Sequence, residues 1–267
     1  MPASITRVAP LWAVDGGTLL VEGDELPYDP PPRVTIADAP AHVAAASPRH
    51  LRIVVPPELE GGRVPLRVDA VPGGTVLIDV GATLATGVHQ VDNPAFDRDG
   101  NVYATFSGSR ENRVPVTLFR VRRDGVREPI RVDIPNPTSV AIGRDGALYV
   151  SFLTGFPFPE GGSRIEAWSP EGELLATYEG LTGVVGLLVT DDGTIYATQH
   201  GVFGDEGWAA DSGSVVMVTA DSGITPIAEG LNVPFGLAQD ADGNLAVAVN
   251  SASEAGTGQI ISIPAAM

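Results

Sequence analysis

Residues 95–104 read Ala-Phe-Asp-Arg-Asp-Gly-Asn-Val-Tyr-Ala, and this pattern of an apolar run, Asp-Gly and a second apolar run decides the fold. The chain repeats it without gaps at residues 141–150, 188–197 and 238–247, with the Asp-Gly glycines 46, 47 and 50 residues apart. Asp-Gly between two apolar runs predicts a β-hairpin, because glycine adopts a positive φ without steric cost. A fixed period of this length is typical of a protein built from repeated β-units.

Further apolar runs follow each hairpin. They predict a third strand at Val116–Val121, Arg164–Trp168, Val215–Val218 and Gln259–Ile263, and a fourth at Glu128–Asp133, Leu174–Tyr178 and Thr225–Ala228. Four antiparallel strands per repeat are typical of a β-propeller blade. We therefore predict an all-β protein with a propeller over residues 72–267 and blades at about 91–134, 135–180, 181–230 and 231–264.

The fourth repeat reaches the last residue, Met267, before a fourth strand occurs. An unassigned apolar run lies at Thr75–Val80, ahead of the first repeat. We predict that this strand completes the last blade and closes a four-bladed ring.

Residues 1–71 show short apolar runs separated by Gly-Gly and proline-rich turns, without an amphipathic helix. This punctuation predicts a small β-sandwich. The candidate strands are Ile5–Ala9, Thr18–Val21, Arg33–Ile36, Leu51–Val55 and Val64–Val68.

The composition excludes several classes of protein. The 267 residues contain no cysteine and no lysine, which removes disulfides, thiolate metal sites, cysteine nucleophiles and Schiff-base lysines. A formal charge of −17 argues against nucleic acid and anionic membranes as partners, because both require a basic surface. We expect a small-molecule substrate as the partner, and the oligomeric state stays open.

The start of the chain, Met1–Arg7, lacks a basic segment followed by an apolar run, and no apolar run approaches the ~18–20 residues of a membrane span. We therefore expect a cytoplasmic protein. The alternative is a secreted protein whose leader has been removed.

Both parts of the chain resemble known families. Residues 16–23, 51–56 and 62–68, with their Gly-Gly turns and short apolar strands, resemble the IPT/TIG immunoglobulin-like domain, which usually serves as a spacer or interaction module. The repeats resemble the NHL and gluconolactonase-like propellers, whose blades read apolar, Asp-x-Asp-Gly, apolar-Tyr-Val. Residues 148–165 resemble the bacterial propeller family named after scytonemin-biosynthesis proteins, which is often encoded with secondary metabolism.

Ligands of propellers bind at one end of the central channel, on the loops between strands, and long loops on a rigid scaffold are where function usually resides. The alignment of the repeats places His89 and His200 on this end, where imidazoles can act as a catalytic acid and base. Substrate contacts are predicted for other side chains of the same loops: Asn136, Asn232, Asn250, Phe156, Phe158, Phe203, Trp208 and Glu111.

The gluconolactonase-like resemblance implies one divalent cation, held by an early Glu and by Asn and Asp from other blades. Asn136 and Asn250 occupy plausible ligand positions, and Asp92 lies where the early Glu is missing. We therefore expect either no cofactor or one divalent cation (Ca, Mg, Mn or Zn). The departure from the family's Glu argues against metal-dependent lactone hydrolysis.

Two functions remain open. The first is an enzyme that transforms a lactone or natural-product-like molecule by hydrolysis, isomerisation, elimination or cyclisation. His200 and His89 are then the acid/base pair, and Asn136 and Asn250 orient the substrate. The second is a non-catalytic scaffold whose propeller loops and immunoglobulin-like domain recognise a protein or glycan, and a propeller fold is compatible with both.

Overall fold

The structure is a computed structural model that describes residues 2–84, 93–106, 117–132, 134, 137–219, 223–251 and 253–264. Every regular element in these ranges is a β-strand, so the all-β prediction is confirmed. In the described part of the chain, no helix is long and apolar enough to cross a membrane. The chain divides into two compact units, Met1–Thr86 and Gly87–Met267.

The first unit is built from eight strands: β1 (Ser4–Ala9), β2 (Trp12–Ala13), β3 (Thr18–Asp24), β4 (Val34–Ile36), β5 (Ala39–Ala46), β6 (His50–Val54), β7 (Gly62–Val68) and β8 (Thr75–Val80). They form one sheet in the order β1-β3-β6-β5-β4-β7-β8-β2. Alternate residues point inward, as Leu19 and Val21 do in β3, and both halves of the sheet contribute to a single core. The immunoglobulin-like assignment of this unit stays a prediction.

The expectation that Thr75–Val80 completes a propeller blade is wrong. This strand, β8, pairs antiparallel with β7 and parallel with β2, so both of its edges are occupied within the first unit. Ile78 and Val80 are buried in that unit's core. Only residues 69–74 separate β7 from β8, and closing such a short loop costs less entropy than pairing with a strand far along the chain. The boundary between the units accordingly follows β8, after residue 86 rather than after residue 71.

The second unit contains four successive antiparallel sheets. Sheet I comprises β9 (Ala95–Phe96), β10 (Val102–Phe106), β11 (Thr117–Val121) and β12 (Arg127–Val132). Sheet II comprises β13 (Pro137–Ile142), β14 (Leu148–Phe152), β15 (Ser163–Trp168) and β16 (Leu174–Leu181). Sheet III comprises β17 (Val184–Val189), β18 (Ile195–Gln199), β21 (Gly213–Val218) and β22 (Ile224–Leu231), with the small hairpin of β19 (Phe203–Gly204) and β20 (Gly207–Trp208) inserted. Sheet IV comprises β23 (Leu237–Gln239), β24 (Leu245–Val249) and β25 (Gln259–Ile263).

The Asp-Gly turns connect the first two strands of each sheet, as the sequence predicts. Their glycines have φ between +80° and +89°, a conformation that side chains rarely adopt, and they are Gly100, Gly146, Gly193 and Gly243. The third and fourth strands of sheets I to III follow in the predicted order, whereas sheet IV has three strands among the described residues.

Successive sheets of this unit pack against one another through their first and second strands. The Thr138 hydroxyl of sheet II donates to Val184 O at 2.8 Å, and the Thr198 hydroxyl of sheet III donates to Phe235 O ahead of sheet IV. Asn93 Nδ2, ahead of sheet I, donates to Val185 O of sheet III at 3.3 Å, so the chain entering sheet I is also in contact with this non-successive sheet. This is the arrangement of blades in a β-propeller. The number of blades stays a prediction, because the strand assigned to close the ring lies elsewhere.

Gly186 lies at a close contact between sheets III and IV. A Cβ there would lie 2.3 Å from Phe235 O and 2.4 Å from the Thr198 hydroxyl, closer than real contacts allow. Gly186→Ala is therefore expected to lower the free energy of unfolding by about 2 kcal/mol, since a backbone segment has to shift. Chemical denaturation measures this change. Gly236→Ala is the matched control, because nothing lies within 4 Å of its Cβ position, and equal stability of the two variants would contradict the close packing.

Candidate functional site

The candidate site lies on loops at the end of the second unit's sheets opposite the Asp-Gly turns. The connection between β14 and β15 carries Phe156 and Phe158. The connection between β18 and β21 carries His200, Phe203 and Trp208, and the last two pair across the small β19–β20 hairpin. Two neighbouring sheets thus supply these side chains, as the alignment of the repeats predicts.

The four aromatic side chains form one group, which we call the aromatic cluster (Phe156, Phe158, Phe203 and Trp208). Phe158 stacks on Trp208 with the ring centroids 5.6 Å apart and the planes 1° from parallel. Phe203 meets Trp208 edge-on at 4.9 Å and Phe158 at 5.3 Å. Phe156 lies at 5.5 Å from Phe158 and 5.7 Å from Phe203. These separations are those of favourable aromatic pairs, so the rings stabilise one another.

His200 lies beneath this cluster with only 8% of its surface exposed. Its ring meets Trp208 edge-on at 5.0 Å and Phe235 at 5.7 Å. Among the described residues, neither Nδ1 nor Nε2 has a hydrogen-bond partner. Buried polar atoms in folded proteins are nearly always hydrogen-bonded, so an imidazole with two unpaired nitrogens calls for an explanation.

Burial lowers the pKa of His200 from its ordinary 6.5 to about 4. The apolar surroundings disfavour the charged imidazolium, because it would lose its hydration without gaining a partner. His200 is therefore neutral at pH 7. In this state it presents one nitrogen that accepts and one that donates a hydrogen bond.

The backbone beneath His200 is fixed by several bonds. His200 N donates to Gly183 O at 2.8 Å. The side chain of Gln199 accepts from Thr182 N and donates to the Ser214 hydroxyl. Gly183, at φ +65°, leaves room for Trp208, since a Cβ there would lie 2.8 Å from the indole ring. These contacts hold the imidazole and the indole in a defined relative position.

Asn232 and Asn250 lie together at the loops of sheet IV, but they bind each other. Asn232 Nδ2 donates to Asn250 Oδ1 at 3.0 Å and to the Ser253 hydroxyl at 3.0 Å, and Asn250 Nδ2 donates to Thr257 O at 3.1 Å. Asn250 also adopts φ +57°, a conformation typical of asparagine in turns. These amides therefore shape the loop, and their predicted substrate contact stays a prediction.

Four predicted site residues lie outside the described residues: His89, Asp92, Glu111 and Asn136. Of the residues named for a cation, only Asn250 is described, and its amide oxygen already accepts the bond from Asn232. Within the described ranges, no three His, Asp or Glu side chains come together as a metal-binding group. The expected divalent cation therefore stays a prediction, and we derive no step through one.

Phe235 is a neighbour of His200 that the sequence analysis missed. It lies in the connection between β22 and β23, which also carries the predicted residue Asn232. The alignment of the repeats placed this connection at the loop end. The presence of an aromatic residue in it could therefore have identified Phe235 as a candidate site residue. Its ring completes the apolar surroundings of the imidazole.

No family model matches the sequence, and no curated protein matches it either. Among solved structures, a gluconolactonase from Xanthomonas campestris aligns with 99% of this chain and 85% of its own, at 20% identity and a TM-score of 0.46. A luciferin-regenerating enzyme aligns with 92% of this chain and 87% of its own, at 9% identity and a TM-score of 0.45. An auxiliary nutrient binding protein from Bacteroides ovatus aligns with 98% of this chain and 69% of its own, at 14% identity and a TM-score of 0.40. Similar structures thus include both enzymes and a binding protein, and they assign no activity to this chain.

Proposed function

We propose that the second unit binds and transforms a small, largely apolar molecule at the aromatic cluster, with His200 as the polar group that contacts it. The observation that carries this proposal is the buried imidazole whose two nitrogens have no partner among the described residues. A buried ionisable group with a strongly lowered pKa is a candidate for a functional role. A ligand with one polar group would satisfy a nitrogen of His200 and bury its apolar part against the rings.

The imidazole is in the neutral form that a general base requires, and its lowered pKa makes it a weaker base than a solvated histidine. It accepts a proton from the ligand or from a water molecule, whereas protonated His200 is scarce at pH 7 because its pKa is about 4. Removal of a proton, from water or from the ligand, can start lactone hydrolysis, isomerisation, elimination and cyclisation alike. His89 remains the proposed acid partner.

Access to His200 requires Trp208 to move away from the imidazole that it meets edge-on, and Phe158, which stacks on Trp208, moves with it or loses that contact. Phe156 is 78% exposed and forms the outer edge of the cluster. A bound apolar ligand would replace the contacts that the rings lose on opening. The same rings would then exclude bulk water from the site and strengthen the hydrogen bond to His200.

The test is a screen of lactones and aromatic natural products for turnover by the full chain. We expect at least one compound to be converted, and we expect His200→Ala to lower kcat/KM at least a hundredfold by removing the base. His42→Ala, an exposed histidine of the first unit, is the matched control and is expected to leave turnover unchanged. Conversion that His200→Ala leaves intact would contradict the proposal.

The mutual packing of the rings favours a second candidate function, recognition without catalysis. The cluster rings contact one another, and Phe156 projects from them as an anchor for a protein or glycan. Compounds or glycans that bind at the cluster but yield no product in the same screen would favour this alternative. Phe156→Ala is then expected to weaken binding about tenfold, because exposed aromatic anchors often dominate recognition.

A further inference from the structure

A second candidate site lies among the Asp-Gly turns, at the end of the sheets opposite the aromatic cluster. A cleft of about 360 Å³ lies among the turns of sheets I, II and III. Its charged and polar lining consists of Arg98, Arg144, Asp145, Tyr149, Asp191 and Asp192. None of these residues belongs to the loop-end site.

The repeat explains why these charges meet. Arg98, Arg144 and Asp191 occupy the same position of three successive repeats, the residue two places before the turn glycine. The fourth repeat has Ala241 at this position. Equivalent turns of adjacent sheets lie side by side, so the three charged side chains converge on one cleft.

The charged side chains differ in whether they already form hydrogen bonds within the protein. Asp145 Oδ1 accepts from Ala147 N at 3.0 Å, and Asp192 Oδ1 accepts from Thr194 N at 3.0 Å, so both carboxylates stabilise their own turns. Among the described residues, the side chains of Arg98, Arg144 and Asp191 have no hydrogen bond or ion pair. All three side chains are exposed, so two guanidinium groups and one carboxylate at the cleft are available to a ligand from solution.

We infer that this cleft binds a small zwitterion of the size of an amino acid or dipeptide. The guanidinium groups of Arg98 and Arg144 match a ligand carboxylate, which arginine binds through paired N–H donors. Asp191 matches a ligand ammonium group. Tyr149 supplies a hydroxyl at the cleft, and it stays protonated because burial raises its pKa further above the ordinary value of 10.

The experiment is a calorimetric titration of the full chain with glycylglycine at low ionic strength, where ion pairs are least screened. Succinate and 1,4-diaminobutane are titrated in parallel, because each carries only one sign of charge. We expect saturable binding of one glycylglycine, with weaker binding of the other two compounds. Arg98→Gln combined with Arg144→Gln is expected to weaken glycylglycine binding at least tenfold.

Two further variants separate the charges. Asp191→Asn is expected to weaken glycylglycine binding about tenfold and to leave succinate binding unchanged or tighter. Arg49→Gln combined with Arg52→Gln removes the same charge from exposed positions of the first unit and is expected to change nothing. If the double variant of the cleft melts earlier than the wild type, the single variants Arg98→Gln and Arg144→Gln replace it, each with an expected loss of at least threefold.

Three outcomes would overturn the inference. The first is the absence of saturable glycylglycine binding. The second is equal binding by the wild type and the cleft variants. The third is succinate binding tighter than that of glycylglycine, which would make the cleft a site for anions instead.

Discussion

His200→Leu is expected to stabilise the protein at neutral pH by about 1–2 kcal/mol, although it removes the proposed base. The wild-type imidazole is 8% exposed with both nitrogens unpaired among the described residues, so folding removes it from water without compensating hydrogen bonds. Leucine fills a similar volume without polar atoms, and it packs against Trp208 and Phe235. Most substitutions of buried residues destabilise, which makes the expected sign diagnostic.

The same substitution is expected to remove part of the protein's acid sensitivity. His200 has a pKa of about 4 in the folded protein and about 6.5 in the unfolded chain. As the pH falls below 6.5, the unfolded chain binds a proton at His200, whereas the folded protein does not bind it until about pH 4. The folded state therefore loses stability in this pH window. Above pH 6.5 His200 is neutral in both states and costs the folded state no stability on this account. By pH 4 the free energy of unfolding has fallen by about 3 kcal/mol because of His200.

Denaturation of the wild type and His200→Leu at pH 7, 5.5 and 4.5 measures both effects. The difference in the free energy of unfolding between the two proteins should grow as the pH falls, because only the wild type loses stability through His200. The effects of carboxylates are common to both proteins and cancel in this difference. His42→Leu, at an exposed position, is the control and should follow the wild type at each pH. Parallel pH profiles of wild type and His200→Leu would show that the imidazole is not held neutral by burial.

A stabilised but inactive His200→Leu would also bear on function. Proteins retain unfavourable groups chiefly where the group is needed, so activity lost together with stability gained is the pattern of a working site. Equal activity of this variant would assign His200 to packing alone.

The repeated hairpins could be predicted because their signal is local. Each Asp-Gly turn, with a positive φ at Gly100 and its equivalents, requires only residues that are neighbours in sequence. Thr75–Val80 was recognised as a strand for the same reason. Its partner was predicted wrongly because edge pairing with β7 and β2 depends on which strands lie nearby, and an apolar run looks the same in either sheet.

Part of the candidate site could be predicted from the sequence for the same reason, and part could not. The alignment placed Phe158, Phe203 and Trp208 on one end because equivalent loops of a repeat share an end. The burial of His200 was not predictable, since it results from Trp208 and Phe235 packing on the imidazole from two different connections. The bond between Asn232 and Asn250 likewise depends on the distance between two loops.

Trp208→Ala is expected to lower the free energy of unfolding by about 3 kcal/mol and to raise the pKa of His200 from about 4 toward 6.5. The indole stacks on Phe158, meets Phe203 and His200 edge-on, and lies over Gly183. Its removal therefore costs several ring contacts and admits water to the imidazole, which restores the hydration of the charged form. Denaturation gives the first effect, and an NMR titration of the His200 ring protons gives the second.

Phe156→Ala separates these effects from a general loosening of the loops. Phe156 contacts Phe158 and Phe203 but lies at the exposed edge of the cluster, and no ring contact joins it to His200 among the described residues. Its removal should leave the pKa of His200 low and cost less than 1 kcal/mol, since little buried surface is lost. A rise of the pKa in both variants would mean that the cluster opens as a whole. A low pKa in both would mean that Phe235 and the backbone around Gly183, rather than the indole, keep water from the imidazole.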